Sequence, residues 1–205
     1  MGLGEREHLA NLSNDLETHI QDLLNVIKYE DLREIVLVGH SSGGMVITGV
    51  VDQLPGRIAH LVYLDAFVPQ PSQSAFDMVG PELEAIVKAL ADKEGDGWRV
   101  PPIVPLFGLE DQADLDWGLR KFSPQPLGTF TQAVVYATPL EERPSTRTYI
   151  RARVPPEGGA FGLIAERLRR NPAWRLREID TGHDVMITRS AELTEMLLEE
   201  IAVTA

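Results

Sequence analysis

Hydrophobic residues at helical spacing mark the first regular element of the chain. The apolar positions recur every three or four residues: Leu16, Ile20, Leu23, Leu24 and Ile27. Residues with this period share one face of a helix, so we predict a helix over residues 15–29. Asn14 and Glu17 have the spacing of a capping box at its start.

A strand, a helix and a second strand are predicted next. The β-branched run at 34–38 stops at Gly39, which is typical of a strand buried on both faces of a parallel sheet. A broad apolar face then predicts a helix over residues 45–54, which Pro55-Gly56 ends. Residues 58–64 form another apolar run. This order predicts a βαβ unit with helices on the faces of a parallel sheet.

Proline and aromatic residues concentrate between residues 69 and 146. We predict a lid insertion there, with helices near 81–92 and 111–121, because such insertions cover apolar pockets. The alternative is a plain subdomain with its own small core. The predicted organisation is therefore a single domain, with a core over 1–68, the lid over 69–146 and the rest of the core over 147–205.

The last third of the chain returns to the α/β pattern. Apolar runs predict strands at 148–152 and 174–179, with a helix at about 160–170 between them. Leucine, methionine and isoleucine at helical spacing then predict an amphipathic closing helix behind Ser190, a favourable N-cap residue. The fold class is thus α/β, with a mostly parallel sheet flanked by helices.

Composition and charge narrow the chemistry. The 205 residues carry a net charge of −12 without long runs of like charge, so a nucleic-acid partner is disfavoured. No cysteine is present, which excludes disulfides, thiol nucleophiles and cysteine-held metals. The apolar runs fall far short of the roughly 20 residues that span a bilayer, so no membrane contact and a cytoplasmic location are expected. We expect neither a metal nor an organic cofactor.

The five residues Gly39–Gly43 read GHSSG and match the G-x-S-x-G motif. The motif lies where a buried strand meets a helix, which is the setting of a nucleophile elbow. Ser41 would be exposed above the sheet, and the backbone N–H of Ser42 would point at an oxyanion near the positive end of the helix. The alternative is a glycine-rich turn with no chemistry.

A serine nucleophile needs a histidine base, and the chain offers five: His8, His19, His40, His60 and His183. His183 is the best placed, because it follows strand 174–179 on a loop at the carboxyl edge of the sheet. His60 is predicted as a packed core residue in mid-strand, and the His40 side chain is expected to point away from Ser41. His8 precedes the first helix, and His19 is predicted on its outer face.

The third catalytic residue should be a carboxylate that orients the histidine. Asp65 is the first candidate, because it ends strand 58–64 directly after the elbow helix. A plain strand-capping role for Asp65 is the alternative. Glu157, in the Pro-Pro-Glu-Gly-Gly loop after strand 148–152, is the second candidate. Asp111 and Asp116 are predicted on the solvated face of a helix.

Four stretches carry a family resemblance: GLGER at 2–6, VGHSSGGMV at 38–46, LVYLDAFVP at 61–69 and TGHDVM at 181–186. Together they resemble bacterial α/β-hydrolases related to plant methyl-ester esterases and hydroxynitrile lyases. The resemblance implies an α/β-hydrolase fold with a serine triad. It also implies several strands and an oxyanion loop before Gly2, so the sequence is expected to be N-terminally truncated.

Two departures from the family pattern refine the site. In much of the superfamily the acid follows the strand that matches 148–152, but residues 151–155 read RARVP and contain no aspartate, which favours Asp65. Haloalkane dehalogenases and some lactone hydrolases place the acid where Asp65 stands. Related hydroxynitrile lyases carry a lysine directly after the catalytic histidine, whereas Asp184 stands here. This disfavours a lyase.

The sequence therefore predicts a serine hydrolase for a small carboxylic ester or lactone. Ser41 is the predicted nucleophile, His183 the base and Asp65 the acid, with the Ser42 N–H as an oxyanion donor. A non-catalytic truncated hydrolase or ligand-binding module is the alternative, and a hydroxynitrile lyase ranks below it. The expected partner is a small-molecule ester, and a homodimer that buries an open sheet edge is a further alternative to a monomer.

Overall fold

The structure is a computed structural model that describes residues 1–54, 56–154 and 159–204. Its helices and strands are α1 (Leu16–Tyr29), β1 (Ile35–His40), α2 (Gly43–Gln53), β2 (Ile58–Leu64), α3 (Ala75–Val79), α4 (Pro81–Glu94), β3 (Arg99–Val100), α5 (Gln112–Leu119), β4 (Gln125–Pro126), α6 (Gly128–Thr131), β5 (Thr146–Ala152), α7 (Gly159–Arg169), β6 (Arg175–Ile179), α8 (Val185–Thr188) and α9 (Ser190–Thr204). Short 3-10 helices cover Gly4–Leu9, Val104–Leu106 and Leu140–Glu142.

The main sheet of the described residues has four parallel strands in the order β1-β2-β5-β6. Side chains alternate between its two faces. One face, which includes Tyr63 and Tyr149, packs under α1, α2 and α7. The other, which includes Val62 and Ile150, packs under α9. The predicted parallel sheet with helices on both faces is confirmed, and β1, α2 and β2 form the predicted βαβ unit.

Strand β1 differs from its prediction in two ways. It does not stop at Gly39 but continues through His40, because the parallel pairing with β2 extends to His40 opposite Leu64. It is also not buried on both faces: Val38 is 39% exposed. The reason is its position at the edge of the sheet, where no other strand of the described chain pairs with its outer side.

The start of α1 also differs from its prediction. Asp15 is the N-cap residue, and it forms the capping box with Thr18 rather than Asn14 with Glu17. The Asn14 side chain instead accepts a hydrogen bond from the Asn11 backbone N–H at 2.8 Å. That bond engages Asn14 in the preceding turn. The helix begins at Leu16, one residue later than it would with Asn14 as the N-cap residue.

The chain between β2 and β5 contains α3 to α6 and a two-stranded antiparallel sheet of β3 and β4. The helices predicted at 81–92 and 111–121 are α4 and α5. The segment encloses a small core of its own: Phe76, Val87, Ala91 and Val100. Other residues of the segment, such as Val134 and Tyr136, belong to the main core. The lid and the plain subdomain both stay predictions. Within the described ranges, no helix is long and apolar enough to cross a membrane.

Candidate active site

Ser41 occupies a sharp turn between β1 and α2. Its φ is +53°, a left-handed conformation that is strained for a residue with a side chain. The turn is held from both sides: the Ser41 N–H donates to the Leu64 carbonyl at 3.3 Å, and the Ser41 carbonyl accepts from the Phe67 N–H at 3.1 Å. A Cβ on Gly39 would lie 2.7 Å from the Gly43 carbonyl oxygen, so the motif glycine is required by close approach. This geometry is that of a nucleophile elbow.

Asp65 and His183 are brought together across 118 positions of sequence. His183 Nδ1 lies 2.7 Å from Asp65 Oδ2. An ionised carboxylate only accepts hydrogen bonds, so Nδ1 carries the proton and Nε2 keeps its lone pair. In the part of the chain that the structure describes, no hydrogen bond occupies Nε2. His183 therefore has the tautomer that a general base requires.

Asp65 is fixed in place from several directions. It follows β2 at φ +40°, and its backbone N–H donates to the Ile150 carbonyl at 2.7 Å. Its carboxylate is 2% exposed and accepts from the Arg151 guanidinium at 2.5 Å and from the Ala152 N–H at 3.2 Å. Both donors engage Oδ1, which leaves Oδ2 for His183. Glu157, the second candidate for the acid, lies outside the described residues.

Two aromatic rings contact the His183 imidazole. Phe161 of α7 stacks on it with ring centroids 5.0 Å apart and an interplanar angle of 9°. His40 lies closer, at 4.4 Å, and is tilted by 40°. Burial, and secondarily the nearby His183, lowers the pKa of His40 to about 4, so His40 is neutral near pH 7. Neither contact could be predicted from local sequence, since both depend on how α7 and β1 pack around the His183 loop.

The helix α2 begins directly after the elbow, with Ser42 as its N-cap residue. No backbone hydrogen bond of the described chain engages the Ser42 N–H, which stands at the positive end of the helix dipole. The Gln125 side-chain amide reaches in from β4 and donates to Ser42 Oγ at 3.4 Å. The Ser42 N–H thus has no backbone acceptor among the described residues, and its role as an oxyanion donor stays a prediction.

The loop that carries His183 is docked against the chain before α5. The Asp184 N–H donates to the Phe107 carbonyl at 3.0 Å, and a Cβ on Gly182 would lie 2.3 Å from the Gly108 oxygen. Burial raises the pKa of the Asp184 carboxyl, whose Oδ2 has no hydrogen-bond partner among the residues that the structure describes. Only glycine at position 182 permits this close approach, so the Thr-Gly turn before the histidine has a packing reason.

The other histidines fall outside this group. His60 is buried in β2, as predicted, with hydrogen bonds to Thr146 and Thr148. His8 is exposed. His19 corrects its prediction: it is half-buried rather than outward-facing, because the first residues fold against α1, where the Met1 amine donates to Asp22 at 2.9 Å.

The predicted acidic residues of the inserted segment behave as solvated groups. Asp111 is exposed and caps α5 by accepting from the Ala113 and Asp114 N–H groups. Asp116 is also exposed. Among the described residues, no group of three or more histidine or acidic side chains is arranged to hold a metal ion.

Several known proteins are similar to this chain in sequence. Residues 2–196 match the alpha/beta hydrolase family. A carbendazim hydrolyzing esterase from Nocardioides sp. (strain SG-4G) is 37% identical over 208 aligned residues, which cover 96% of this chain and 83% of that protein. A putative chloroplastic methylesterase of Arabidopsis thaliana is 24% identical over 61% of this chain and 40% of its own length.

Solved structures agree on the fold. An extracellular alpha/beta-hydrolase from a Paenibacillus species superposes with a TM-score of 0.81 at 23% identity, over 92% of this chain and 81% of its own. A methylesterase from Arabidopsis superposes with a TM-score of 0.71 at 19% identity, over 99% and 84% of the two chains. The predicted fold class is confirmed, and the chain belongs to the alpha/beta hydrolase family.

Proposed function

We propose that the chain is a serine hydrolase that cleaves a small carboxylic ester or lactone through an acyl-enzyme. The enzyme class, an ester hydrolase, follows from its 37% identical esterase relative. The serine mechanism rests chiefly on one observation, the His183–Asp65 pair, in which His183 Nε2 has no hydrogen-bond partner among the described residues. The strained turn at Ser41 supports it. Both features are expected beside a reacting serine, because backbone strain concentrates at functional sites and a free Nε2 can accept the hydroxyl proton.

Acylation begins with attack of Ser41 Oγ on the substrate carbonyl carbon while His183 Nε2 takes the hydroxyl proton. The carbonyl oxygen becomes an oxyanion, which the Ser42 N–H stabilises by donating a hydrogen bond. Asp65 holds Nδ1–H and stabilises the imidazolium. When the tetrahedral adduct collapses, the C–O bond to the alcohol breaks and His183 returns its proton to the departing oxygen.

Deacylation repeats these steps with water. His183 Nε2 removes a proton from a water molecule, which attacks the acyl carbon, and the tetrahedral adduct again places its oxygen at the Ser42 N–H. Collapse breaks the bond to Ser41 Oγ, which recovers its proton from His183. A carboxylic acid leaves, and every group returns to its starting state.

The substrate class is inferred from the relatives and from the surroundings of His183. The Nocardioides relative hydrolyses carbendazim, and several matched proteins are methylesterases. The Phe161 ring beside His183 supplies an apolar wall next to the reacting groups. We infer a small, fairly apolar ester or lactone as substrate.

The test is covalent labelling with a fluorophosphonate, followed by intact-mass analysis. We expect one adduct on the wild-type chain, none on Ser41→Ala, and one on the control Ser13→Ala, which removes an exposed loop hydroxyl. An adduct that persists in Ser41→Ala would contradict the assignment of the nucleophile. If the wild-type chain unfolds cooperatively but carries no adduct, the serine-hydrolase mechanism would be contradicted. The non-catalytic binding module would then be favoured.

A further inference from the structure

A hydrogen bond that the proposed mechanism does not use joins His40, the residue before the predicted nucleophile, to the backbone of the predicted base. His40 Nε2 lies 3.0 Å from the backbone carbonyl oxygen of His183. His40 directly precedes Ser41, and the acceptor belongs to the His183 residue itself. The bond therefore links the residue next to Ser41 to the backbone of His183, across 143 positions of sequence.

The direction of this bond fixes the state of His40. A carbonyl oxygen can only accept, so His40 Nε2 must carry the hydrogen and Nδ1 must keep its lone pair in the neutral ring. The low pKa of His40 agrees with a neutral ring at neutral pH. A neutral His40 also avoids placing a second positive charge 4.4 Å from the His183 ring when that ring becomes an imidazolium.

The nearest charged group does not replace this bond. Asp184 Oδ1 lies 4.0 Å from His40 Nε2, which is beyond hydrogen-bond distance, and the Asp184 carboxyl has a raised pKa. The Asp65 contact orients the imidazole about its own axis, but it does not tie the His183 backbone to the elbow. The hydrogen bond from His40 connects the His183 backbone to the elbow.

We propose that His40 is a positioning residue whose Nε2–H holds the His183 backbone at a fixed distance from Ser41. This inference rests on the proposed serine mechanism and adds the group that aligns its two reacting residues. Acid–base transfer between Ser41 Oγ and His183 Nε2 requires close approach, and small displacements of reacting groups lower rates strongly. Loss of the bond should therefore lower kcat and leave substrate affinity in place.

Three substitutions separate the hydrogen bond from the ring contact. His40→Gln keeps an N–H donor at about the reach of Nε2 but removes the ring. His40→Phe keeps a ring beside His183 but removes the donor, and His40→Leu removes both. His8→Gln is the matched control, because it makes the same exchange at an exposed histidine.

The experiment measures fluorophosphonate labelling rates together with kcat and KM for p-nitrophenyl acetate. We expect kcat and the labelling rate to fall about tenfold or more in His40→Phe and His40→Leu, the effect of one lost hydrogen bond at a reacting residue, with KM little changed. His40→Gln should recover most of the loss, to within about threefold of the wild type. Thermal unfolding of each variant checks that the measured chains are folded.

Two outcomes would overturn the inference. Wild-type rates in His40→Phe would show that the ring contact suffices, and a His40→Gln variant as slow as His40→Leu would show that the donor is irrelevant. Failure of the proposed function has a different signature, because the wild-type chain itself would then carry no adduct at Ser41. The wild-type arm thus separates failure of the mechanism from failure of the positioning role.

Discussion

The main sheet carries two clusters that are built from the same residue types around a buried carboxylate but differ in geometry. The front cluster joins Asp65, His183 and the Arg151 guanidinium. The rear cluster joins Glu200, His60 and arginine side chains of β6, with His60 Nε2 3.4 Å from Glu200 Oε2. Both contain a histidine, a carboxylate and an arginine. Composition alone therefore does not distinguish a base from a structural histidine.

The two clusters differ in which ring nitrogen is free. In the rear cluster the Thr148 hydroxyl donates to Glu200 at 2.7 Å, so it must accept from His60 Nε2–H at 3.1 Å. The Thr146 hydroxyl engages His60 Nδ1 at 2.6 Å, and both nitrogens are used. In His183 the carboxylate engages Nδ1 alone. A histidine can act as a base only where a nitrogen lone pair remains available.

The front and rear clusters also lie at different positions along the strands of the sheet. His60 pairs with Val36 and Thr146 near the start of the parallel strands, whereas Asp65 follows the end of β2. The carboxyl ends of parallel strands are where ligand sites of open α/β sheets form. The Glu200 side chain is 0% exposed and the His60 side chain 3%, against 13% for His183. The rear cluster is closed to substrate, and its expected contribution is to the stability of the α9 packing.

Substitution of the two carboxylates, Asp65 and Glu200, should differ most in its effect on kcat. Asp65→Asn should lower kcat by about 10⁴-fold, because the amide no longer fixes the His183 tautomer or stabilises its imidazolium. Glu200→Gln is the matched exchange in the rear cluster, and it should leave kcat per folded molecule near the wild-type value. Steady-state ester hydrolysis, normalised to the folded fraction, measures both.

The opposite ranking would contradict the separate roles of the two carboxylates. If Glu200→Gln lost activity as Asp65→Asn is expected to, the rear cluster would be coupled to the reaction. If Asp65→Asn kept most of its activity, the acid would lie elsewhere, and Glu157→Gln would be the next variant to measure. Labelling of Ser41 by fluorophosphonate should follow the same ranking, because it depends on the same base.

The sequence carried enough information for the elements of the front cluster. Glycines on both sides of Ser41 predict the turn, and strand ends predict that Asp65 and His183 meet at one edge, because parallel strands share their carboxyl edge. Each of these inferences uses local pattern and one topological rule. The fold class and the positions of the main strands follow from the same information.

The rest depended on packing between distant parts of the chain. Glu200 meets Thr148 only because α9 crosses the sheet at one angle, and no periodicity in residues 190–204 encodes that contact. The hydrogen bond from His40 to the His183 carbonyl has the same origin. The edge position of β1 was likewise not contained in its apolar run, since burial on both faces depends on a neighbouring strand.

An intermediate effect is expected on stability, and here the rear cluster should dominate. Glu200→Gln should lower the free energy of unfolding by about 3 kcal/mol, because it removes the charge that the buried Thr148 hydroxyl and two arginines face. Glu199→Gln is the control: its carboxylate pairs with Arg177 at 2.7 Å but is 65% exposed, so the expected loss is under about 1 kcal/mol. Urea unfolding at pH 7 measures both, and equal losses would contradict a buried role for Glu200.

The smallest expected effect is on the pH dependence of stability. Burial lowers the pKa of His40, to about 4, and also that of His60. The unfolded chain, with histidine pKa near 6.5, then binds more protons than the folded chain, so stability falls as the pH falls below about 6.5, by at most about 1.4 kcal/mol per pH unit for each group. His40 should contribute down to about pH 4. Glu200, whose pKa is lowered from 4.5, adds its own loss only at lower pH.

His40→Gln and His60→Gln each remove one titrating ring from this balance. Both variants should show a smaller loss of unfolding free energy between pH 7 and pH 5 than the wild type, measured by urea unfolding at each pH. The His8→Gln control makes the same exchange at an exposed histidine. An unchanged slope in His40→Gln would contradict the lowered pKa of His40. The ring beside His183 would then take up its proton at the same pH in the folded and the unfolded chain.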